Sequence, residues 1–223
     1  MRSLFAILLV IGLFLSQVSW AAEQDPSQMT LGQLKAAVGR DPENYRYQLH
    51  YAIKMTAGGK NLEEAIPHLT KAIQLEPRSH KSHWFLGVVL IKLKRYDHAI
   101  PMLDKATQLK PDIAEPYGCL GDAYSNLGHY ERAISCYQEG LKRNPKYAEA
   151  LFSLGRTYLL LALKAENHEE AVKKHSFCQE VMQKLMVLDL RLNIQLIGMA
   201  NEVADKLNAK FGAVAPESKQ SKY

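Results

Sequence analysis

Cysteine is scarce: Cys119, Cys136 and Cys178 are the only three. An odd number without short-loop spacing excludes a disulfide-built framework, although one bridge stays open in an oxidising compartment. The sequence also lacks a paired CxxC, a phosphate-binding glycine loop, a dinucleotide glycine motif and a nucleophile elbow. Those absences remove the common redox, nucleotide and acyl-transfer sites. His80 and His83 stand one helical turn apart, but no third ligand at suitable spacing accompanies them, so no metal is expected. No catalytic residue, cofactor or small-molecule substrate is assigned. Charge of one sign is not concentrated either. The formal charge is +5, and the basic clusters "IKLKRY" and "LKRNP" are short and sit where helices would end. Cations there complement the negative end of the helix dipole, so nucleic acid is not an expected partner.

What is present begins with an apolar run. Arg2 precedes Leu4 to Leu15, and Ser19 and Ala21 fit the small positions of a cleavage site. Residues 1–21 therefore read as a secretory signal peptide. The same stretch, uncharged from Ser3 to Ala22, is about long enough to be a retained membrane anchor, and both readings stay open. Membrane contact is expected only if residues 3–22 are retained. No Asn-x-Ser/Thr sequon occurs, in keeping with a bacterial cell envelope, periplasmic or secreted.

From residue 46 onward a period of 34 governs the chain. Pro77, Pro111 and Pro145 obey it, as do Ala65, Ala99 and Ala133, and Gly87, Gly121 and Gly155. Leu86, Leu120 and Leu154 precede those glycines, and Tyr124 and Tyr158 follow them at the same spacing. Each period reads as two amphipathic helices closed by a proline that cannot continue the second. Such a hairpin cannot bury its apolar faces alone, but stacked neighbours can. A mid-helix glycine costs about 1 kcal/mol relative to alanine. Close approach of a partner helix offsets that cost, with Gly87 expected opposite Ala99 and Gly121 opposite Ala133.

This pattern resembles the tetratricopeptide repeat family over roughly residues 46 to 160. The small residue at the family's position eight, the alanine at position 20 and the proline at position 32 are the residues just named. The resemblance implies an all-α solenoid of antiparallel helix pairs with extra capping helices. Its organisation is a leader and capping helix over 22–45, then repeats at 46–79, 80–113 and 114–147. A lengthened fourth unit covers 148–189, because Ala171 arrives four residues late. A capping helix at 190–211 and a disordered tail at 212–223 complete the reading.

The resemblance also implies a function: a non-catalytic scaffold that binds a protein or peptide segment in a groove lined by the first helices. Carried over residue by residue, that groove presents Tyr47, His50 and Lys54, then Lys81, Trp84, Val88 and Ile91. The third repeat adds Glu115, Gly118, Asp122 and Ser125, and the fourth Glu149, Phe152, Arg156 and Leu159. Gly118 stands where the neighbouring repeats have Trp84 and Phe152, so a pocket for a guest side chain is expected there, unless the capping helix or a neighbouring loop fills it. Family members that grip acidic chaperone tails carry lysine and asparagine at positions five and nine of the first repeat. Here those places hold His50 and Lys54, so that clamp is absent. Two alternatives remain: a tethered assembly factor for an envelope complex, and a self-associating array.

Overall fold

The computed structural model describes residues 25–212. The signal-peptide reading and all but Gly212 of the expected tail lie outside the described residues. Within them stand ten α-helices and no strand. The chain divides into two compact units, one ending at Val89 and the other beginning at Leu90.

The first unit contains α1 (Leu31–Arg40), α2 (Tyr45–Met55), α3 (Leu62–Leu75) and most of α4 (His80–Lys92). Helix α1 begins with a capping box: Thr30 accepts from Gln33 N while the Gln33 side chain reaches back to Thr30 N. Met29, Leu34 and Ala37 form a small core against which Tyr47 and Tyr51 of α2 pack.

The second unit holds α5 (Tyr96–Leu109), α6 (Glu115–Asn126), α7 (Tyr130–Arg143), α8 (Ala148–Lys164), α9 (His168–Leu188) and α10 (Leu190–Phe211). Helices α6 and α7 pair, as do α8 and α9, and α10 packs on both α8 and α9. The core of this unit runs from Ala133 and Tyr137 through Leu151 and Leu154 to Leu196 and Leu207.

Four helices end alike, and proline is the reason. Asp41, Glu76, Lys110 and Asn144 each leave the helix at φ between −142° and −132°. Each precedes a proline, whose ring excludes the helical conformation from the residue before it. The turn between paired helices is also periodic: Lys94 (φ 59°) and Gly128 (φ 80°) both adopt the left-handed conformation that reverses the chain.

The small residues differ in what they face. Ala65, Ala99 and Ala133 are fully buried. A methyl group placed on Gly121 would lie 2.5 Å from Cε1 of Tyr137, so the glycine accommodates an aromatic ring one turn beyond Ala133. At Gly155 the same methyl would lie 2.5 Å from Cδ2 of Leu196, which comes from α10. One slot in the repeat thus receives a rigid ring in one place and a flexible aliphatic chain in the next. The four-residue delay of Ala171 appears as length in the first helix: α8 has 17 residues where α6 has 12.

Candidate partner-binding surfaces

In the second unit, Asp122 on α6 and Arg156 on α8 lie side by side, with Nη2 4.0 Å from Oδ1. Tyr137 on α7 donates its hydroxyl to the same Oδ1 at 2.8 Å. Burial raises the Asp122 pKa, against the hydrogen bonds from Tyr137 and Ser153 and the charge of Arg156. Burial, with Asp122 beside it, also raises Tyr137. The carboxylate is therefore held as an acceptor by a phenol that stays protonated at any ordinary pH. The Arg156 Nε is buried and has no hydrogen-bond partner among the described residues. A guanidinium with a spare donor is suited to a planar acceptor such as a carboxylate or a peptide carbonyl.

Other residues named from the repeat pattern take different places. Glu149 is exposed, and Glu115, Phe152 and Ile91 are half-buried. Leu159 is 1% exposed and Ser125 5% exposed, so neither lines an open surface. Leu159 joins the core with Ala162, Ala165 and Ala171, and Ser125 Oγ meets Thr157 Oγ1 at 3.3 Å. The expected pocket at Gly118 is filled. A methyl there would lie 2.7 Å from Cε1 of Tyr147, whose ring swings in from the loop between α7 and α8.

In the first unit, Tyr47 packs on the small core under α1 rather than standing free. His50 and Lys81 share an open cleft of about 540 Å3 with Asp25, Arg46, Arg78 and His80. Burial lowers the His50 pKa, and Lys81, Arg46 and Lys54 push the same way against the attraction of Asp25. Lys54 is exposed, whereas Trp84 and Val88 are half-buried, and the Trp84 ring lies 5.0 Å from that of Phe85. His83 lies one helical turn from His80 on α4. Its Nε2 contacts the Pro77 carbonyl at 3.1 Å, and no cluster suited to a metal occurs among the described residues.

One surface escaped the sequence reading. A cleft of about 460 Å3 is lined by Leu151, Leu154, Tyr158, Phe177 and Val181, with Lys142, Lys184 and Glu180 beside them. Its α8 residues recur at three- and four-residue steps on a face other than that of Phe152 and Arg156. The recurrence of Tyr124 and Tyr158 at 34 was the available signal, but it reads equally as core packing.

All three cysteines are free. Burial pushes the Cys178 thiol up to about 12, and burial with Asp104 and Glu139 pushes Cys136 up to about 11. Neither is an activated nucleophile, since the thiolate is the reactive form.

Comparison with known proteins follows the same lines. Residues 57–118 match a tetratricopeptide repeat model, and residues 121–161 match a second model described as a TPR repeat. No curated protein sequence matches the chain. Among solved structures, the crystal structure of MamA is similar at a TM-score of 0.58 and 26% identity, over 69% of this chain and 87% of that one. MamA from Desulfovibrio magneticus RS-1, residue 41 to its end, gives 0.61 and 21% identity, covering 71% of this chain and 85% of that one. Another MamA crystal structure gives 0.55 and 22% identity, covering 83% and 87%. Those last two show likeness of fold alone. The chain therefore carries tetratricopeptide repeats over residues 57–118 and 121–161, within an all-α solenoid of the kind that serves as a scaffold for protein–protein interaction.

Proposed function

We propose that the chain is a non-catalytic adaptor of the cell envelope that holds a segment of another protein on the first-helix face of its second unit. The observation that carries this reading is Arg156. Its guanidinium is positioned by Asp122 at 4.0 Å, yet its Nε has no acceptor among the described residues. The Arg156 side chain is 35% exposed, so the outer edge of its guanidinium offers charge-assisted donors to an incoming acceptor. Phe152, one turn away and half-buried, supplies an apolar contact beside that donor. The guest is therefore a segment with a carboxylate or exposed carbonyl next to an apolar side chain. The envelope setting rests on Arg2, the apolar run from Leu4 to Leu15 and the small residues Ser19 and Ala21.

The test is affinity capture from the native envelope with the wild-type chain and with Arg156→Ala, followed by mass spectrometry. Proteins held by the wild type and lost by the variant support the adaptor reading. Identical capture by both removes Arg156 from the interface and the proposal with it.

A further inference from the structure

The first-helix face of the second unit carries a ring that no first helix supplies. Glu115, Gly118 and Asp122 fall at three- and four-residue steps and share one face of α6, as Glu149, Phe152 and Arg156 do on α8. A methyl on Gly118 would lie 2.7 Å from Cε1 and 2.8 Å from the hydroxyl oxygen of Tyr147, so the phenol lies across that face of α6. Burial raises the pKa of its hydroxyl, and Cys119, Asp122 and Glu115 of α6 and Glu149 of α8 push the same way. The hydroxyl therefore stands between the two helices and stays protonated. The side chain is half-buried, which leaves part of it open to an incoming molecule. Other tyrosines nearby use their hydroxyls inside the fold: Tyr137 donates to Asp122, and Tyr117 accepts from Arg143. The Tyr147 hydroxyl makes no hydrogen bond among the described residues.

We infer that Tyr147 is a specificity-determining contact of the guest-binding face, its phenol donating to a main-chain carbonyl of the guest segment. This rests on the adaptor reading of Arg156 and deepens it. A protonated phenol without an acceptor of its own offers a donor. The carboxylates of Glu115, Asp122 and Glu149 repel a guest carboxylate at that point, whereas an uncharged carbonyl meets no such repulsion. Seated against the bare Cα of Gly118, the ring is in place before a guest arrives, and less ordering is lost on binding. It also fills the position that Trp84 and Phe152 occupy in the neighbouring repeats, so the guest presents backbone there and not an inserted side chain. A carbonyl free to accept belongs to a segment that is not helical at that residue. The guest is thus an extended segment, with one acceptor for Arg156 and a main-chain carbonyl for Tyr147.

The experiment is quantitative affinity capture from the native envelope with the full wild-type chain, Arg156→Ala and Tyr147→Phe, together with thermal melts of all three. Proteins held by the wild type and lost by Arg156→Ala define the guests. Tyr147→Phe keeps the ring over Gly118 and removes only the hydroxyl. It should melt as the wild type does and hold those guests about fivefold more weakly, the effect of one hydrogen bond. Unchanged capture by Tyr147→Phe, with capture lost in Arg156→Ala, overturns this inference and leaves the adaptor reading standing. Weaker capture matched by a fall in melting temperature assigns the hydroxyl to the fold and also overturns it. Identical capture by the wild type and Arg156→Ala removes both readings together.

Discussion

The pair α6–α7 and the pair α9–α10 are built from similar residues, yet they end in opposite conditions. In the first, the 34-residue period holds, and every large apolar residue is at least partly covered. Tyr137 enters the notch of Gly121 and is the largest fully buried side chain of the described residues. In the second, the period is lost, the helices lengthen to 21 and 22 residues, and aliphatic side chains point to water at their junction. The difference shows what the period does. It keeps each helix short enough that the next one covers it, and a helix that outgrows its neighbours exposes the surplus.

Four substitutions test this difference. Tyr137→Ala should be the most damaging, lowering unfolding free energy by about 3–5 kcal/mol as for other buried aromatics, measured by urea denaturation followed by far-UV circular dichroism. Gly121→Ala should cost roughly 1–3 kcal/mol, because a rigid ring stands 2.5 Å from the new methyl and overpacking outweighs the gain in helix propensity. Gly198→Ala should act in the opposite direction. It lies within α10 with no atom within 4 Å of the added methyl, so the propensity term of about 1 kcal/mol is left to stabilise. A loss of stability there would mean that the α10 face is covered after all.

The smallest effect belongs to Asp122→Asn. Because the folded-state pKa of Asp122 is raised, its charged form is the disfavoured one in the fold. That penalty is present above the folded pKa and vanishes as pH falls below the unfolded value. The asparagine variant, which keeps an acceptor for Tyr137, should therefore be slightly more stable than wild type at neutral pH. The gap should close under acid conditions. Its size is well under about 1 kcal/mol, since the carboxylate is more than a third exposed and solvent screens it. Thermal melts across pH check both the sign and the window.

The repeat architecture was legible because proline and small residues act locally. Pro77, Pro111 and Pro145 stop helices by sterics that depend on one neighbour, and a fixed spacing of such stops predicts the pairs directly. The candidate surface was less legible because it depends on what swings across a loop. Gly118 reads as a vacancy until Tyr147 is considered. The same slot holds Ser79 and Ile113 in the preceding repeats. A lost side chain at 118 and a gained ring at 147, in one repeat only, are two halves of one exchange. That pairing was the available signal, and it required reading the linker as part of the core. Leu159 and its counterpart Ser125, 34 residues earlier, are both buried, so that place in these two repeats faces the core and not a groove. Asp122 and Arg156 were placed on the same face by their spacing of 34, but Tyr137 behind them was assigned only to packing.

Leu196 seated at Gly155 has a practical corollary. The recognisable repeats stop at residue 161, which invites expression of a trimmed piece ending there. Such a piece would lack the whole of α9 and α10, and with them Val181, Leu185, Leu196, Val203 and Leu207 of the shared core. The slot at Gly155 would then open to solvent along an aliphatic wall of Leu151 and Leu154. A truncated product of that kind would be expected to aggregate, and its stickiness would be easily mistaken for affinity.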